Sequence, residues 1–325
     1  MPITTNGSYI PCCNEFLAHW LQCNAVAIGG SLLVAPPGKP TVSWTQFDSL
    51  RTDLLAAQDA VQSAMNDAEI ARGDINLKKA VLLASFGEFT GIMEAYYQGT
   101  KFYNAKPLSP RITDGEDRFT GPLRDAASLW EKMNAAGPVP GVALPLVLSG
   151  GITQGAFATA LGELVMAYRE EKSAEQNATL ERAERDKLQV TIYEVLKAYR
   201  LAVPPVLAQY PELVATLPRL TPEPGHTPEP VVAEGTFVAP SSSRVTHTAS
   251  SEVTLSHYEL EGCHGAVFRE EDATFLGRHE PGEANEFTVQ FGLAQPGTNA
   301  SYKVYVVLTT GNRAGSDAVV VARPA

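Results

Sequence analysis

Cysteine is scarce: the 325 residues include four, Cys12, Cys13, Cys23 and Cys263, and no two form a CxxC pair. A dense disulfide framework is therefore excluded. Reduced, partly buried thiols are expected, and a bridge from Cys12 or Cys13 to Cys23 stays open. Positive charge is also in short supply. Lys and Arg total 25 against 36 Asp and Glu, for a net charge of -11, and no basic cluster is interleaved with aromatics. Such a surface works against phosphate backbones, so nucleic acid is not an expected partner. The apolar stretch Ala25 to Val34 is interrupted by glycine and soon meets Pro36-Pro37, too short to cross a bilayer. No transmembrane segment is expected. The N-terminal residues lack a basic region followed by an apolar run, so the expected location is the cytoplasm or the outside by a route without a secretory signal.

Catalytic motifs are missing too. There is no nucleophile elbow, HExxH or glycine-rich dinucleotide turn. Pro37-Gly38-Lys39-Pro40-Thr41 fails as a phosphate loop, because Pro40 follows the lysine where a helix should begin. The expectation is no enzyme, with no catalytic residue, no cofactor and no metal.

What is present is self-similarity. Trp20, Asn24, Val42-Ser43 and Phe47 are matched by Trp130, Asn134, Ile152-Thr153 and Phe157, each 110 residues later. Leu54 and Ala57 pair with Leu164 and Ala167 at the same offset, and Pro110-Arg111-Ile112-Thr113 resembles Pro218-Arg219-Leu220-Thr221. Two copies of one unit are expected, over 1–115 and 116–221. Each copy carries two helical stripes at steps of three and four. They are Phe47 to Ala64 and Ile75 to Tyr96, with Lys79 as a polar intruder, then Phe157 to Tyr168 and Leu188 to Tyr199. Shorter helices over Asn14–Cys23 and Pro122–Ala135 precede them, with Pro122 suited to a first turn. Gly- and Pro-rich loops, Gly29–Pro40 and Gly137–Gly151, connect the elements.

Prolines alternate across 222–230, which excludes a helix and predicts an extended, semi-rigid linker. From 231 to 325 the pattern becomes period-two alternation between turn residues, with strands expected at 231–238, 244–248, 253–260, 266–269, 274–277, 286–292, 301–309 and 317–322. Leu293 to Thr298, leading to Tyr302-Lys303-Val304-Tyr305-Val306 and then Asn312 and Gly315, resembles the E–F corner, F strand and F–G turn of a fibronectin type III domain. The resemblance implies an immunoglobulin-like β-sandwich in which Tyr302 anchors the corner. It departs from that family in extra residues before Tyr302 and in lacking an early tryptophan. The expected fold class is multidomain, α then β: a tandem-duplicated antiparallel helical bundle followed by this sandwich.

Individual candidates weigh against chemistry. Arg72-Gly73-Asp74 spells an integrin-type tripeptide but falls between two helical stripes, where Gly73 would end one helix and Asp74 would cap the next. His257, Cys263 and His264 lie close in sequence, yet neighbouring strand residues point to opposite faces and would not converge on a metal. The runs 169–172 and 181–185 mix signs and read as a solvated helix face, while Arg269-Glu270-Glu271-Asp272 lacks the alternation of a calcium loop. Asn6, Asn177 and Asn299 fit the short glycosylation pattern and read as incidental. The function expected is that of a structural or protein-interaction protein with a tendency to self-assemble. Its sandwich would present the loop around Thr310, Gly311, Asn312 and Arg313 to a protein partner or a second copy. Two alternatives are kept: a glycan or small-ligand module using Tyr96, Tyr97 and Tyr103, and an enzyme with a site between the two helical copies.

Overall fold

The computed structural model describes residues 2–27 and 30–324. Met1, Ile28, Gly29 and Ala325 lie outside, and with them the start of the Gly29–Pro40 loop. The first two-thirds is helical: α1 (Tyr9–Val26), α2 (Trp44–Tyr96), α3 (Glu116–Ala136), α4 (Gln154–Val206) and the short α5 (Pro211–Ala215). The antiparallel pair β1 (Val147–Leu148) and β2 (Ile152–Thr153) precedes α4.

The long helices correct one expectation. The stripes foreseen as separate helices are continuous, and α2 and α4 run for 53 residues each. Arg72-Gly73-Asp74 caps nothing; it sits inside α2. A single glycine in a helix interior costs only about 1 kcal/mol relative to alanine. Ion pairs of Arg72 with Glu69, Glu171 and Glu175, and of Asp74 with Lys78 one turn on, work against that cost. Pro122 is a second correction, since it is the seventh residue of α3 and not in its first turn. The turn ahead of it is held by the buried Phe119 and by Glu116 and Asp117, whose charge suits a helix N-terminus.

The chain forms two compact units. One comprises 64–178 and the other 2–63 with 179–324, so α2 and α4 contribute to both. In the first, Trp130 stacks on Phe89 at 5.3 Å and lies 5.9 Å from Phe157. Its Nε1 donates to the Leu146 carbonyl at 3.2 Å, and the Leu146 amide donates to Asn134 Oδ1 at 2.8 Å. Lys79 is buried here. Its ammonium donates to the carbonyls of Ile112 and Asp114 at 3.0 and 2.8 Å, over the rings of Phe119 and Tyr168. Burial lowers its pKa, with Asp114 pulling the other way.

The helical core of the other unit centres on Trp20. It lies 4.6 Å from Tyr199 and is stacked 5.7 Å from Phe47. Its Nε1 donates to the Leu32 carbonyl at 3.0 Å, and the Leu32 amide donates to Asn24 Oδ1 at 2.7 Å. Cys12, Cys13 and Cys23 are free thiols in this core, so the bridge left open by the sequence is not formed. Burial pushes the Cys12 thiol up to about 12 and Cys13 higher still. Lys39, from the stretch rejected as a phosphate loop, pairs with Glu194.

The C-terminal part holds two antiparallel sheets. One has the order β3 (Ala233–Val238), β4 (Ser242–His247), β7 (Glu286–Val289). The other runs β10 (Val319–Ala322), β8 (Asn299–Leu308), β5 (Leu255–His264), β6 (Thr274–His279), with β9 (Arg313–Gly315) also on β8. Val245 and Phe287 from the first sheet and Tyr258, Leu260, Tyr302, Val304 and Val306 from the second share one core. Of the expected strands, 266–269 does not form: Gly265 turns with positive φ at the end of β5, and Val267 is exposed. Residues 222–230 contain neither helix nor strand. The segment is tied to the sandwich. The Glu223 amide donates to Thr310 O, Asn312 Nδ2 donates to Glu223 O, and His226 meets Glu252 at 3.0 Å.

Candidate binding site at the junction of helices and sandwich

β5 reads Leu255-Ser-His-Tyr-Glu-Leu-Glu-Gly-Cys-His264, and after a register irregularity between Leu255 and His257 it pairs regularly with β8 from His257 to His264. Tyr258 and Leu260 enter the sandwich core. The alternate residues His257, Glu259, Glu261 and Cys263 therefore share the outer face, where polar groups usually meet water. Here they do not: all four are buried, and the side chains of Glu259 and Glu261 are 1% and 0% exposed. The N-terminal segment and β9 supply the partners of the two glutamates.

Arg313 Nη1 donates to Glu259 Oε2 at 3.0 Å and to Glu261 Oε1 at 2.9 Å, and its Nη2 donates to Thr5 Oγ1 at 2.9 Å. Thr5 Oγ1 in turn donates to Glu261 Oε1 at 3.0 Å. The guanidinium lies 3.9 Å from the centre of the Tyr305 ring, whose hydroxyl donates to Glu270. His257 Nε2 is 2.9 Å from Glu259 Oε1. Burial raises Glu261, with Arg313 opposing. Burial works against the Arg313 charge, but Glu261 and Glu259 outweigh it and raise its pKa. Gly7 packs closely here: a Cβ there would stand 3.1 Å from Phe275 N and 3.2 Å from Glu261 Oε1, a tight contact that its neighbours would have to relieve.

A second clamp lies beside the first. Arg182 of α4 holds Asp272 with two parallel bonds, Nε to Oδ1 at 2.6 Å and Nη2 to Oδ2 at 2.8 Å, and the Asp272 side chain is fully buried. Arg185 Nη1 and Asn6 Nδ2 both donate to Glu271 O. Gln62 Nε2 of α2 donates to Asp272 O at 3.1 Å and Thr274 Oγ1 at 2.7 Å. The solvated face expected at 181–185 is thus corrected, since Arg182 and Arg185 bind the sandwich. Next to these clamps a cleft of about 380 Å³ opens between α1, α2 and β6, walled by Ile10, Leu55 and Phe275 and edged by Glu15, Asp59, Gln62 and Arg278.

The loop proposed from sequence sits at the same junction. Gly311 is buried with positive φ against Pro2, Thr310 and Asn312 hold Glu223, and Arg313 points into the ion network. His257, Cys263 and His264 take separate partners. Cys263 Sγ donates to Arg269 O at 3.2 Å, and His264 packs on Phe291 at 4.5 Å, where burial lowers it to about 4. Among the described residues no group of three or more His, Cys, Asp or Glu is placed to hold a metal ion. Of the tyrosines weighed for glycan binding, Tyr97 is buried against Phe102, Tyr96 is exposed, and Tyr103 faces Lys106. Glu259, Glu261 and Gln62 were not singled out by sequence reasoning, while Asp272 was weighed only within a rejected calcium loop and Arg182 only within a solvated helix face. The available signal was two glutamates on one strand face beside a histidine.

No protein-family model matches the chain, and no curated protein does. Solved structures with a weak likeness to its C-terminal region each cover about a third of the chain or less. A Fn3-like protein from Clostridium thermocellum is 14% identical, with 31% of this chain and 97% of that one covered and a TM-score of 0.25. A fourth FNIII domain from human is 20% identical over 32% and 82%, also at 0.25. A pectate lyase from Pectobacterium carotovorum is 10% identical over 28% and 27%, at 0.24, so the chain spans about a quarter of that enzyme. Likenesses this distant carry no argument about activity. No helix among the described residues is long and apolar enough to cross a membrane.

Proposed function

We propose that the chain is a non-catalytic structural or interaction protein that associates with a second copy or a protein partner through its long helices, holding the sandwich as a docking module. The observation that carries this is an apolar stripe on α2. Ile70, Leu77 and Val81 are 58%, 70% and 61% exposed, at steps of seven and four that align them on one face. The same helix places Ile75, Leu82, Phe86 and Phe89 in the core, so it is apolar on two sides. Aligned exposed side chains of this size mark interaction surfaces in soluble proteins. Light scattering coupled to size-exclusion chromatography tests the proposal. Concentration-dependent association that Leu77→Glu with Val81→Glu abolishes is expected. A strict monomer at high concentration with no partner in pull-downs overturns it.

The helical part is, in this reading, one fold written twice. The support is that Trp20 and Trp130 donate to carbonyls of their following loops, while Asn24 and Asn134 accept from the amides of those same loop residues. Tyr199 and Phe89, also 110 apart, pack on the two tryptophans. For the sandwich, a fibronectin type III-like assignment is supported by its strand order and by Tyr302, whose buried hydroxyl donates to Phe291 O at 2.8 Å and meets Ser243 Oγ at 2.7 Å.

A further inference from the structure

We infer that the occupant of the α2 stripe is a basic amphipathic helix of another protein, seated with its apolar face on Ile70, Leu77 and Val81 and its basic flank over carboxylates of α2 and α4. This rests on the reading of that stripe as an interaction surface and names the chemistry of the partner. The stripe has a charged row beside it. Asp67, Asp74 and Lys78 stand three residues before Ile70, Leu77 and Val81, so each is the helix-surface neighbour of one apolar residue. All six belong to the 64–178 unit.

α4 borders this row. Arg72 of α2 reaches Glu171 at 3.2 Å, which sets the two helices side by side. Lys78 bonds Asp74 at 2.9 Å, and that bond, followed by the charges of Asp74, Glu163 and Glu170, raises its pKa against desolvation. Glu163 and Glu170 therefore lie on the flank of α4 that turns to Lys78. Met166, 59% exposed, is spaced three and four residues from them and continues the apolar surface outward. Arg169 falls on the opposite flank of Met166. The seam thus sets the carboxylates of Asp67, Asp74, Glu163 and Glu170 against the ammonium of Lys78, and Asp67, Glu163 and Glu170 form no ion pair among the described residues. An apolar stripe bordered by unbalanced negative charge complements a helix with an apolar face and Lys or Arg beside it. A second copy brings the same carboxylates and holds the stripe less tightly, so a basic helix should displace it.

Fluorescence anisotropy of a three-heptad Leu/Lys helical peptide titrated with the full chain tests this, with a Leu/Glu peptide of the same apolar pattern as control. The Leu/Lys peptide is expected to bind saturably and about tenfold or more tighter than Leu/Glu. Leu77→Gln with Val81→Gln should weaken it by about tenfold or more with an unchanged circular dichroism spectrum. Glu163→Gln with Glu170→Gln should weaken it by about fivefold and flatten its salt dependence. Removing two exposed carboxylates elsewhere, by Glu229→Gln with Glu234→Gln, should leave it unchanged. Both peptides binding alike, and both lost in the Leu77→Gln, Val81→Gln variant, would overturn the basic partner while the interaction surface stands. Stripe-dependent self-association that the Leu/Lys peptide does not displace would do the same. Leu/Lys binding indifferent to Leu77→Gln with Val81→Gln, or no saturation up to about 1 mM, would remove the stripe as the binding site and the inference with it.

Discussion

The molecule buries two cations by opposite means. Lys79, in the 64–178 unit, has no carboxylate at ion-pair distance among the described residues, with Asp114 and Glu171 acting only at longer range; its ammonium rests on two carbonyls and two aromatic faces. Arg313, in the sandwich, is closed in by Glu259 and Glu261, and both carboxylates are themselves buried. The lysine can lose its proton and remain comfortable, because carbonyls and ring faces carry no full charge. The guanidinium cannot, and its absence would strand two anions. The difference lies in what each cation leaves behind when it is removed.

The largest expected effect follows from that. Arg313→Met keeps the bulk of the stem but leaves Glu259 and Glu261 without their cation. Breaking a buried pair in this way costs roughly 3–5 kcal/mol. The loss should appear as a lowered urea midpoint, and adding Glu259→Gln and Glu261→Gln to Arg313→Met should recover much of it. A variant as stable as the parent would mean the network is hydrated and contributes nothing. Arg182→Met should come next, since Asp272 is fully buried but Arg182 is partly open to water. A cost of about 2–4 kcal/mol is expected in the same titration.

Lys79→Met should cost far less, within about 1 kcal/mol, because the long methionine keeps the packing and Ile112 and Asp114 stay near water. Its pH dependence sharpens the contrast. Burial lowers the folded-state pKa of Lys79 below the unfolded value near 10.5. Between those two values the unfolded chain binds the extra proton, so stability attributable to this residue rises as pH climbs through that window. Chemical denaturation from pH 8 to 11 should show that rise in the parent and its absence in Lys79→Met. Equal slopes would place the lysine ammonium in water.

The same contrast explains what could be read from the residues alone. The helical stripes and the alternation of Tyr302, Val304 and Val306 were legible because burial of apolar side chains follows the period of the backbone, and Phe47, Leu54, Phe86 and Phe89 are in the core as spacing required. Helix ends were not. Gly73 looked like a stop because glycine often is one, yet a single weak residue is overruled by 53 residues of hydrogen-bonded helix with cross-linked charges. The junction was the least visible. Glu259, Glu261 and Asp272 each sit where alternation or a turn predicts solvent, and only partners more than 50 residues away in sequence, Thr5, Arg182 and Arg313, reveal that they are buried. Polar burial depends on tertiary pairing, and no local pattern encodes it.

The smallest expected effect concerns acid. His247 of β4 and His279 of β6 stack at 5.2 Å with their Nε2 atoms 3.1 Å apart, linking the two sheets. His247 Nδ1 faces the Thr248 carbonyl, so it carries hydrogen and donates, and its Nε2 is left to accept from His279. His279 Nδ1 is then a bare, buried nitrogen without a partner among the described residues. Tyr258 and Phe287 pack on both rings and offer no charge to balance a proton. Burial lowers the pKa of His247, and His279 lowers it further after a backbone bond opposes the shift. Stability from neutral His247 is therefore complete above the unfolded value near 6.5 and is lost as pH falls below it towards the folded value. Unfolding midpoints measured from pH 7.5 to 5 should decline by an amount on the order of 1 kcal/mol, and His247→Phe with His279→Phe should flatten that decline without touching the alkaline slope set by Lys79. A double variant that keeps the acid slope would assign it to other groups, with the buried His264 next in line.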